Sequence, residues 1–288
     1  MFDQIEAFFA LTDRIKRWRR SKTALTDESV ASRFIRLFES HGVHRNQIPR
    51  FFDHGLRLAD VKDASVLLPR LDEPMLDDAC RLFAVRREWL DGAEKRIYPC
   101  HDFYKRPDQF ASFVDGIASE NPQGDIDGLL IVPEPPGHEP EALLIIEESV
   151  GFVGDKAIRR FHLCNNWSFA YWKARAYLTA CVAIAWKRDI HIRGIYSPAK
   201  ELSKIVEGES LLGWQGEGLQ AIHGKRWDAE DMALKPEVYL RGIDPERQRY
   251  GLRAALELWL DLDGQGLMDT GLDVSGVRER FIAERKKY

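Results

Sequence analysis

The chain has 288 residues, with 44% hydrophobic and 31% charged side chains and a formal net charge of -4 at pH 7. This composition excludes wholesale disorder, because the apolar fraction is large enough for packed cores, and it excludes a protein that coats nucleic acid through bulk positive charge. The length is comfortable for two domains, which usually have about 100 to 200 residues each.

The first predicted element is an amphipathic helix over residues 2–20, whose apolar side chains recur at helical spacing. It ends in a basic cluster in which Arg17, Arg19 and Arg20 are possible phosphate contacts. The alternative is a solvated helix end whose cations suit the helix dipole. Acids precede the apolar patch and basic residues follow it, which is the reverse of a secretory signal. We therefore expect a cytoplasmic protein rather than an exported one.

Short helices are predicted in succession from there to residue 92. Thr26-Asp27-Glu28 offers an N-cap and first-turn acids for a helix that stops at Gly42. Further helices are expected at 45–52, 56–63, 74–83 and 86–90. A row of short helices without a strand signal is typical of a small DNA-binding domain.

Residues 31–92 resemble the Cro/repressor-like (XRE) helix-turn-helix family. The resemblance is clearest from Met75 to Val85 and in the following Arg86-Arg87-Glu88-Trp89-Leu90-Asp91-Gly92. Family members often close with a similar helix, a short turn and a final helix that ends at glycine. The resemblance covers less than a quarter of the chain. It implies an all-α helix-turn-helix domain over residues 1–96 that binds double-stranded DNA.

The resemblance places the DNA contacts on Arg45, Asn46, Gln47, Arg57 and Lys62. Arg45 falls where family members meet the phosphate backbone. In the helix predicted at 56–63, Arg57 and Lys62 point outward and carry groups that reach guanine edges or phosphate.

Other side chains of the same predicted helix oppose DNA binding. Leu58 and Ala59 also point outward, and they offer at most a contact with a thymine methyl group. Asp53, Asp60 and Asp63 lie beside them and repel phosphate. The alternative is a protein-interaction module that keeps the fold for dimerisation or docking, without DNA contact.

The spacing of apolar residues changes in the second predicted domain, residues 97–288, where short apolar runs typical of strands appear between the helical patterns. Its elements are a helix at 107–119, strands at 128–132, 142–146 and 158–163, an aromatic-rich helix at about 167–187, a strand at 190–196, a helix that ends at residue 206, and helices near 245–260 and 274–287. Residues 209–242 between them have no clear period. This order predicts an α+β domain with one sheet and flanking helices.

The same region excludes several kinds of site. Its longest strongly apolar run, residues 176–186, is well short of the roughly 20 residues that a membrane span needs, so no membrane partner is expected. The four cysteines of the chain are widely spaced and form no CxxC pair. They indicate reduced thiols, and neither a disulfide framework nor a zinc finger. No pattern in the sequence indicates a cofactor or a resident metal.

The order helix, three strands, helix, strand resembles the core of the PD-(D/E)XK nucleases. Asp127 precedes one predicted strand and Glu147 and Glu148 end the next, where that family places its metal-binding acids. A Mg²⁺ site needs two or three such oxygens. The family's lysine, two residues after the second acid, is replaced by Ser149 or Val150. The alternative function is therefore a nuclease, active or degenerate, with these three acids as its catalytic residues.

A sheet flanked by aromatic helices is also similar to the effector or dimerisation domains that many bacterial regulators carry behind a DNA-binding module. The leading prediction is a DNA-binding transcriptional regulator that acts as a homodimer, since two modules on two half-sites gain affinity. A small-molecule effector is a possible partner, held in an apolar pocket with few polar groups. Nothing in the sequence identifies that effector.

Overall fold

The structure is a computed structural model that describes residues 28–136, 140–213, 216–243 and 251–288. The helix predicted over 2–20 lies outside the described residues, and so do the three possible phosphate contacts Arg17, Arg19 and Arg20. Within the described residues, a helical segment is followed by a mixed β-sheet with flanking helices.

Local capping decides where the helices of residues 28–92 begin and end. The Ser29 hydroxyl accepts the Ser32 N–H at 3.1 Å at the start of the first helix, and Gly42, with a φ of +89°, follows its end. Pro49 lies in the first turn of the next helix, where no intrahelical hydrogen bond is lost. These helices are α1 (Val30–Ser40), α2 (Ile48–Phe51, after a 3-10 turn at Arg45–Gln47), α3 (Ala64–Leu67, before a 3-10 turn at Leu68–Arg70), α4 (Glu73–Phe83) and α5 (Arg87–Leu90).

The helix predicted at 56–63 is wrong, because these residues form turns and the next helix begins only at Ala64. Two aspartates explain the difference. The Asp60 carboxylate accepts the Arg57 N–H at 2.8 Å and holds a turn. The Asp63 carboxylate accepts two backbone N–H groups of the following turn, both at 3.0 Å. Such side-chain acceptors compete with helical hydrogen bonds, so Asp63 starts a helix where the sequence pattern predicted that one would end.

A six-stranded mixed sheet forms the centre of the described chain. Its strands are β1 (Cys100–Asp102), β2 (Ile126–Glu134), β3 (Ala142–Val153), β4 (Lys156–Trp167), β5 (His191–Pro198) and β6 (Lys225–Asp228). They lie in the order β1-β4-β3-β2-β5-β6. The pairs β2/β3, β3/β4 and β5/β6 are antiparallel, whereas β5 is parallel to β2 and β1 is parallel to β4.

The remaining helices flank this sheet or pack behind it. They are α6 (Pro107–Glu120), α7 (Trp172–Trp186), α8 (Ala199–Ile205), α9 (Asp231–Leu234), α10 (Pro236–Tyr239), α11 (Gly251–Gly264) and α12 (Val277–Arg285). The predicted α+β architecture, with one sheet and flanking helices, is confirmed for the C-terminal part. The sequence pattern did not indicate β1, β6, α9 or α10, because elements of three or four residues carry too little periodicity.

Helices cover both faces of the sheet. Phe34 and Phe38 of α1 belong to the same buried cluster as Leu129, Ile145 and Phe161 of the sheet. The opposite face packs on α6 and α7, and α11 and α12 pack behind α7. The predicted all-α helix-turn-helix domain is not confirmed, because its helices share one hydrophobic cluster with the sheet and turns replace one of them.

Helix α7 is buried along most of its length and carries a buried cation. The Arg175 guanidinium donates to the backbone oxygens of Phe169, Tyr239 and Arg241 at 2.7 to 3.1 Å, and burial lowers its pKa to about 9. Arg175 therefore ties α7 to the chain around α10. No helix in the described part of the chain is both long and apolar enough to cross a membrane.

A buried chain of hydrogen bonds joins three distant parts of the molecule at His41. The His41 Nδ1–H donates to the Leu37 carbonyl at 2.7 Å, and Nε2 accepts from the Tyr98 hydroxyl at 3.3 Å. The Tyr98 oxygen accepts the Leu212 N–H at 3.1 Å. The Leu37 carbonyl fixes this tautomer, since an oxygen can only accept. Burial lowers the His41 pKa from 6.5 to about 4, so the imidazole is neutral in the folded protein at pH 7.

We expect His41 to make the fold sensitive to acid. Between pH 6.5 and 4 the unfolded chain binds a proton at His41 that the folded chain does not. The free energy of unfolding therefore falls as the pH drops through this window, by about 3 kcal/mol from this residue. Chemical denaturation across the window should show this loss in the wild type and not in His41→Gln, which donates and accepts without titrating. Equal pH dependence in the two proteins would contradict the assignment.

Candidate functional site

The segment 44–62, where DNA contacts were predicted, exposes polar side chains over a buried apolar base. Leu56 and Val61 are buried, and Arg57 and Lys62 are exposed. The inward and outward positions predicted for these side chains are thus found, although turns carry them instead of a helix. The segment presents two of its predicted cations to solvent.

The other predicted DNA contacts differ in their availability. Arg45 forms a two-pronged ion pair with Glu39, with its Nε and Nη2 atoms 2.8 and 3.3 Å from the two carboxylate oxygens, and this pairing raises the Arg45 pKa. The Gln47 side chain accepts the His44 N–H at 3.0 Å and caps the 3-10 turn. The Asn46 side chain is exposed. Arg45 and Gln47 would therefore have to give up internal partners to contact DNA.

Two exposed side chains in the segment bear on its partner. Arg50 on α2 is an exposed cation that the sequence pattern did not single out. Leu58 is 64% exposed, next to Arg57. A large exposed apolar side chain favours contact with a protein, whereas exposed cations favour contact with phosphate.

The acids predicted as a metal site lie on both sides of the sheet. Asp127 of β2 pairs in register with Glu147 of β3, so both side chains lie on the face covered by the helical segment. Successive residues of a strand point to opposite faces, so Glu148 lies on the face covered by α6 and α7. The three carboxylates therefore do not converge on one ion.

Glu148 is fully buried in a network of its own. Its carboxylate accepts hydrogen bonds from Arg160, from His162 at 2.8 Å and from Asn121 at 3.0 Å. Burial raises the Glu148 pKa, but these three hydrogen bonds outweigh burial and lower the pKa to about 2. Because Asn121 follows the end of α6, the carboxylate joins that helix to β3 and β4.

The two positions expected for the nuclease lysine have other tasks. The Ser149 hydroxyl accepts the Asp125 N–H at 3.0 Å, and Val150 packs half-buried against the core. Across residues 28–288, apart from the short stretches that the structure does not describe, no three His, Cys, Asp or Glu side chains are placed to hold a metal ion. Glu147 and Glu148 thus form ion pairs and hydrogen bonds with the protein itself.

A cleft of about 270 Å³ lies at the corner of the sheet where β5 meets β6, and we call it the edge cleft. Its floor is apolar and is formed by Leu129, Ile195, Leu219 and Ile222. Charged side chains stand at its rim. An apolar cavity with a few convergent polar groups is the usual form of a small-molecule site.

Two arginines at this rim lie close to each other. Arg193 of β5 lies across from Asp228 of β6, and Arg226 lies across from Ile195. The two arginines are therefore diagonal neighbours on one face of the sheet, with Cα atoms about 7 Å apart. Both side chains are exposed, and neither forms an ion pair with a residue that the structure describes.

Two tryptophans and a glutamate complete the edge cleft. Trp186 and Trp227 line it. Trp227 lies on the face of β6 opposite the two arginines, where its ring packs on Gly194 and Tyr196. The indole N–H groups of both tryptophans are buried with no hydrogen-bond acceptor among the described residues. Glu230 is half-buried in the same wall, and burial raises its pKa. A buried donor without a partner costs about 1 to 3 kcal/mol, and such groups in native proteins often mark the place of a water or a ligand.

Residues 216–222, which we call the strap, run from the helical segment to the edge cleft. At one end, a Cβ atom added to Gly42 would lie 2.7 Å from the Gly216 Cα, so the two backbones are in direct contact. At the other end, Leu219 and Ile222 line the cleft. The strap therefore contacts both the cleft and the turn that precedes the predicted DNA surface.

Glu147 holds the strap on the sheet. Its carboxylate, only 3% exposed, accepts the Leu219 N–H at 3.3 Å and lies 3.5 Å from the Arg159 guanidinium. Burial raises the Glu147 pKa and Asp127 adds to that effect, whereas Arg159 opposes it. A residue predicted as a metal ligand is thus an anchor for the strap.

The sequence pattern did not indicate the edge cleft, because its residues come from segments far apart in the chain. One local signal was present. His191-Ile192-Arg193-Gly194 alternates polar with apolar or small residues, which places the His191 and Arg193 side chains on one face of β5. Two polar side chains on one face of a strand indicate that this face is in contact with solvent at that point.

No protein-family model matches the sequence, and no curated protein or solved structure matches it either.

We expect that the acids Asp127, Glu147 and Glu148 do not cleave DNA. A divalent cation on one face of the sheet reaches at most two of these three carboxylates. Supercoiled plasmid incubated with the protein and Mg²⁺ or Mn²⁺ should stay intact. Cleavage that disappears in both Asp127→Ala and Glu147→Ala would contradict this expectation, whereas cleavage that both variants retain would come from a contaminating nuclease.

Proposed function

We propose that this protein is a cytoplasmic DNA-binding transcriptional regulator whose α+β part senses a small molecule. The main support for this proposal is the exposure of Arg50, Arg57 and Lys62 to solvent in the segment 44–62, whose apolar side chains are buried beneath them. Cations grouped on one short segment supply the phosphate contacts that dominate DNA affinity. The resemblance to the XRE family supports the same use of this segment.

The DNA contact that we propose is mainly with phosphate. Turns replace the helix that was expected at residues 56–63 to contact the bases, and the exposed side chain next to Arg57 is the apolar Leu58. A surface of this kind positions a protein on DNA and reads few bases. We infer a homodimer, because two such modules on two half-sites recover the affinity and specificity that one lacks.

The strap supports the sensing role. It contacts the edge cleft through Leu219 and the helical segment through Gly216. A ligand in the cleft that favours one position of Leu219 would also favour one position of Gly216 against Gly42, two residues before His44. The proposed DNA surface begins at that point.

Duplex binding at several salt concentrations tests the DNA contact. We expect that replacing both Arg57 and Lys62 by Ala weakens binding to random-sequence duplex. The slope of log affinity against log salt concentration should also become shallower by about 2, because each lost phosphate contact removes about 0.9. The matched control replaces two exposed, ion-paired cations outside the segment, Lys204→Ala with Arg253→Ala. Unchanged affinity and slope in the first double variant would overturn the proposal.

A protein-interaction module is the second candidate function, and the exposure of Leu58 favours it. Leu58→Asp separates the two candidates. If the segment binds DNA, the added carboxylate repels phosphate and weakens duplex binding. If the segment docks on protein, the wild type has no duplex affinity at low salt, and Leu58→Asp alters only the oligomeric state measured by sedimentation.

A further inference from the structure

We propose that the edge cleft binds a small organic monocarboxylate, with the carboxylate between Arg193 and Arg226 and the apolar body on the cleft floor. This inference names the class of small molecule that the α+β part would sense, and its biological role rests on the proposed function. The binding itself involves no DNA. Binding of the carboxylate and binding of duplex can therefore fail independently.

The pair of arginines provides the anion site. Arg193 and Arg226 are diagonal neighbours on adjacent strands and belong to the same face of the sheet. Each guanidinium presents planar N–H donors that match the two oxygens of a carboxylate. Neither side chain forms a direct ion pair with a described residue, although the Arg193 charge acts on the buried Glu147 carboxylate and lowers its pKa. A ligand carboxylate therefore gains both guanidinium groups without breaking a direct ion pair.

The floor requires an apolar body on the ligand. Leu129, Ile195, Leu219 and Ile222 offer aliphatic surface that a free inorganic anion cannot cover. The volume of about 270 Å³ lies just below the range of about 300 to 1,000 Å³ for drug-sized ligands. The occupant is therefore the size of a small metabolite, such as an aromatic or branched aliphatic acid.

Acidic neighbours limit the ligand to one negative charge. Asp228 lies directly across from Arg193, and Glu230 stands in the cleft wall, where burial raises its pKa. A second negative charge on the ligand would meet Asp228 instead of a third cation. A monocarboxylate thus fits better than a phosphate dianion.

The test uses phenylacetate as the probe and the indole N–H signals of the full-length protein as the readout. The signals of Trp186 and Trp227 are identified among the eight tryptophans by Trp186→Phe and Trp227→Phe. We expect phenylacetate to shift these two signals, the neutral isostere phenylacetamide to bind about tenfold more weakly or worse, and phenyl phosphate to bind less tightly than phenylacetate.

Variants of the charged rim complete the test. Replacing both Arg193 and Arg226 by Gln should weaken phenylacetate binding about tenfold or more, whereas Arg253→Gln, an exposed arginine on α11, should leave it unchanged. Asp228→Asn should tighten it, because a repelling charge is removed. All of these side chains are exposed, so unfolding midpoints close to that of the wild type are expected. Equal binding of phenylacetamide, undiminished binding by the double variant, or no shift of any indole signal or of any backbone amide signal of β5 and β6 would each overturn the proposal.

Discussion

The buried chain from Leu37 through His41 and Tyr98 to Leu212 is the constraint on which the rest of the structure depends. It joins the end of α1, the segment before β1 and the stretch that precedes the strap. Each donor in the chain meets one acceptor only while His41 is neutral, and burial keeps it neutral at pH 7. Three segments distant in sequence are therefore held in one arrangement.

Next to this series of hydrogen bonds, the backbone of Gly213 lies so close to the end of α1 that a side chain could not fit. A Cβ atom on Gly213, directly after Leu212, would overlap the Ser40 carbonyl oxygen at the end of α1. Glycine is the residue that permits such close backbone approach. The helical segment is consequently held against Leu212 and Gly213, which precede the strap. A structural change at the edge cleft can therefore reach the helical segment through a short series of contacts.

Adjacent carboxylates serve the two faces of the sheet. Glu147 anchors the strap through the Leu219 N–H, and Glu148 joins α6 to β3 and β4 through Asn121 and its other partners. Each charge is compensated by an arginine of β4. Buried carboxylates that are paired in this way position the elements around the sheet, and the same pairing leaves them poorly suited to share a metal ion.

Apolar periodicity in the sequence predicted the elements that pack a long face, including α1, α4, the three central strands and α7. It failed at 56–63, where the Asp60 and Asp63 side chains hold turns that no periodic pattern reveals. For the site, the sequence singled out Glu147 and Glu148 as a pair, but the pleat of β3 turns them to opposite faces. The alternation in β5 indicated the polar rim of the edge cleft but not the cleft itself, because its residues come from β2, β5, β6 and the strap.

We propose that the strap couples the edge cleft to the turn before the segment 44–62. The most direct measurement is the backbone amide spectrum of the full-length protein with and without saturating phenylacetate. We expect the amide signals of Gly42, His44 and Gly216 to shift together with that of Leu219. None of them should shift when both Arg193 and Arg226 are replaced by Gln. Shifts confined to residues of the cleft, with Gly42 and His44 unmoved, would show that the strap does not couple the two sites.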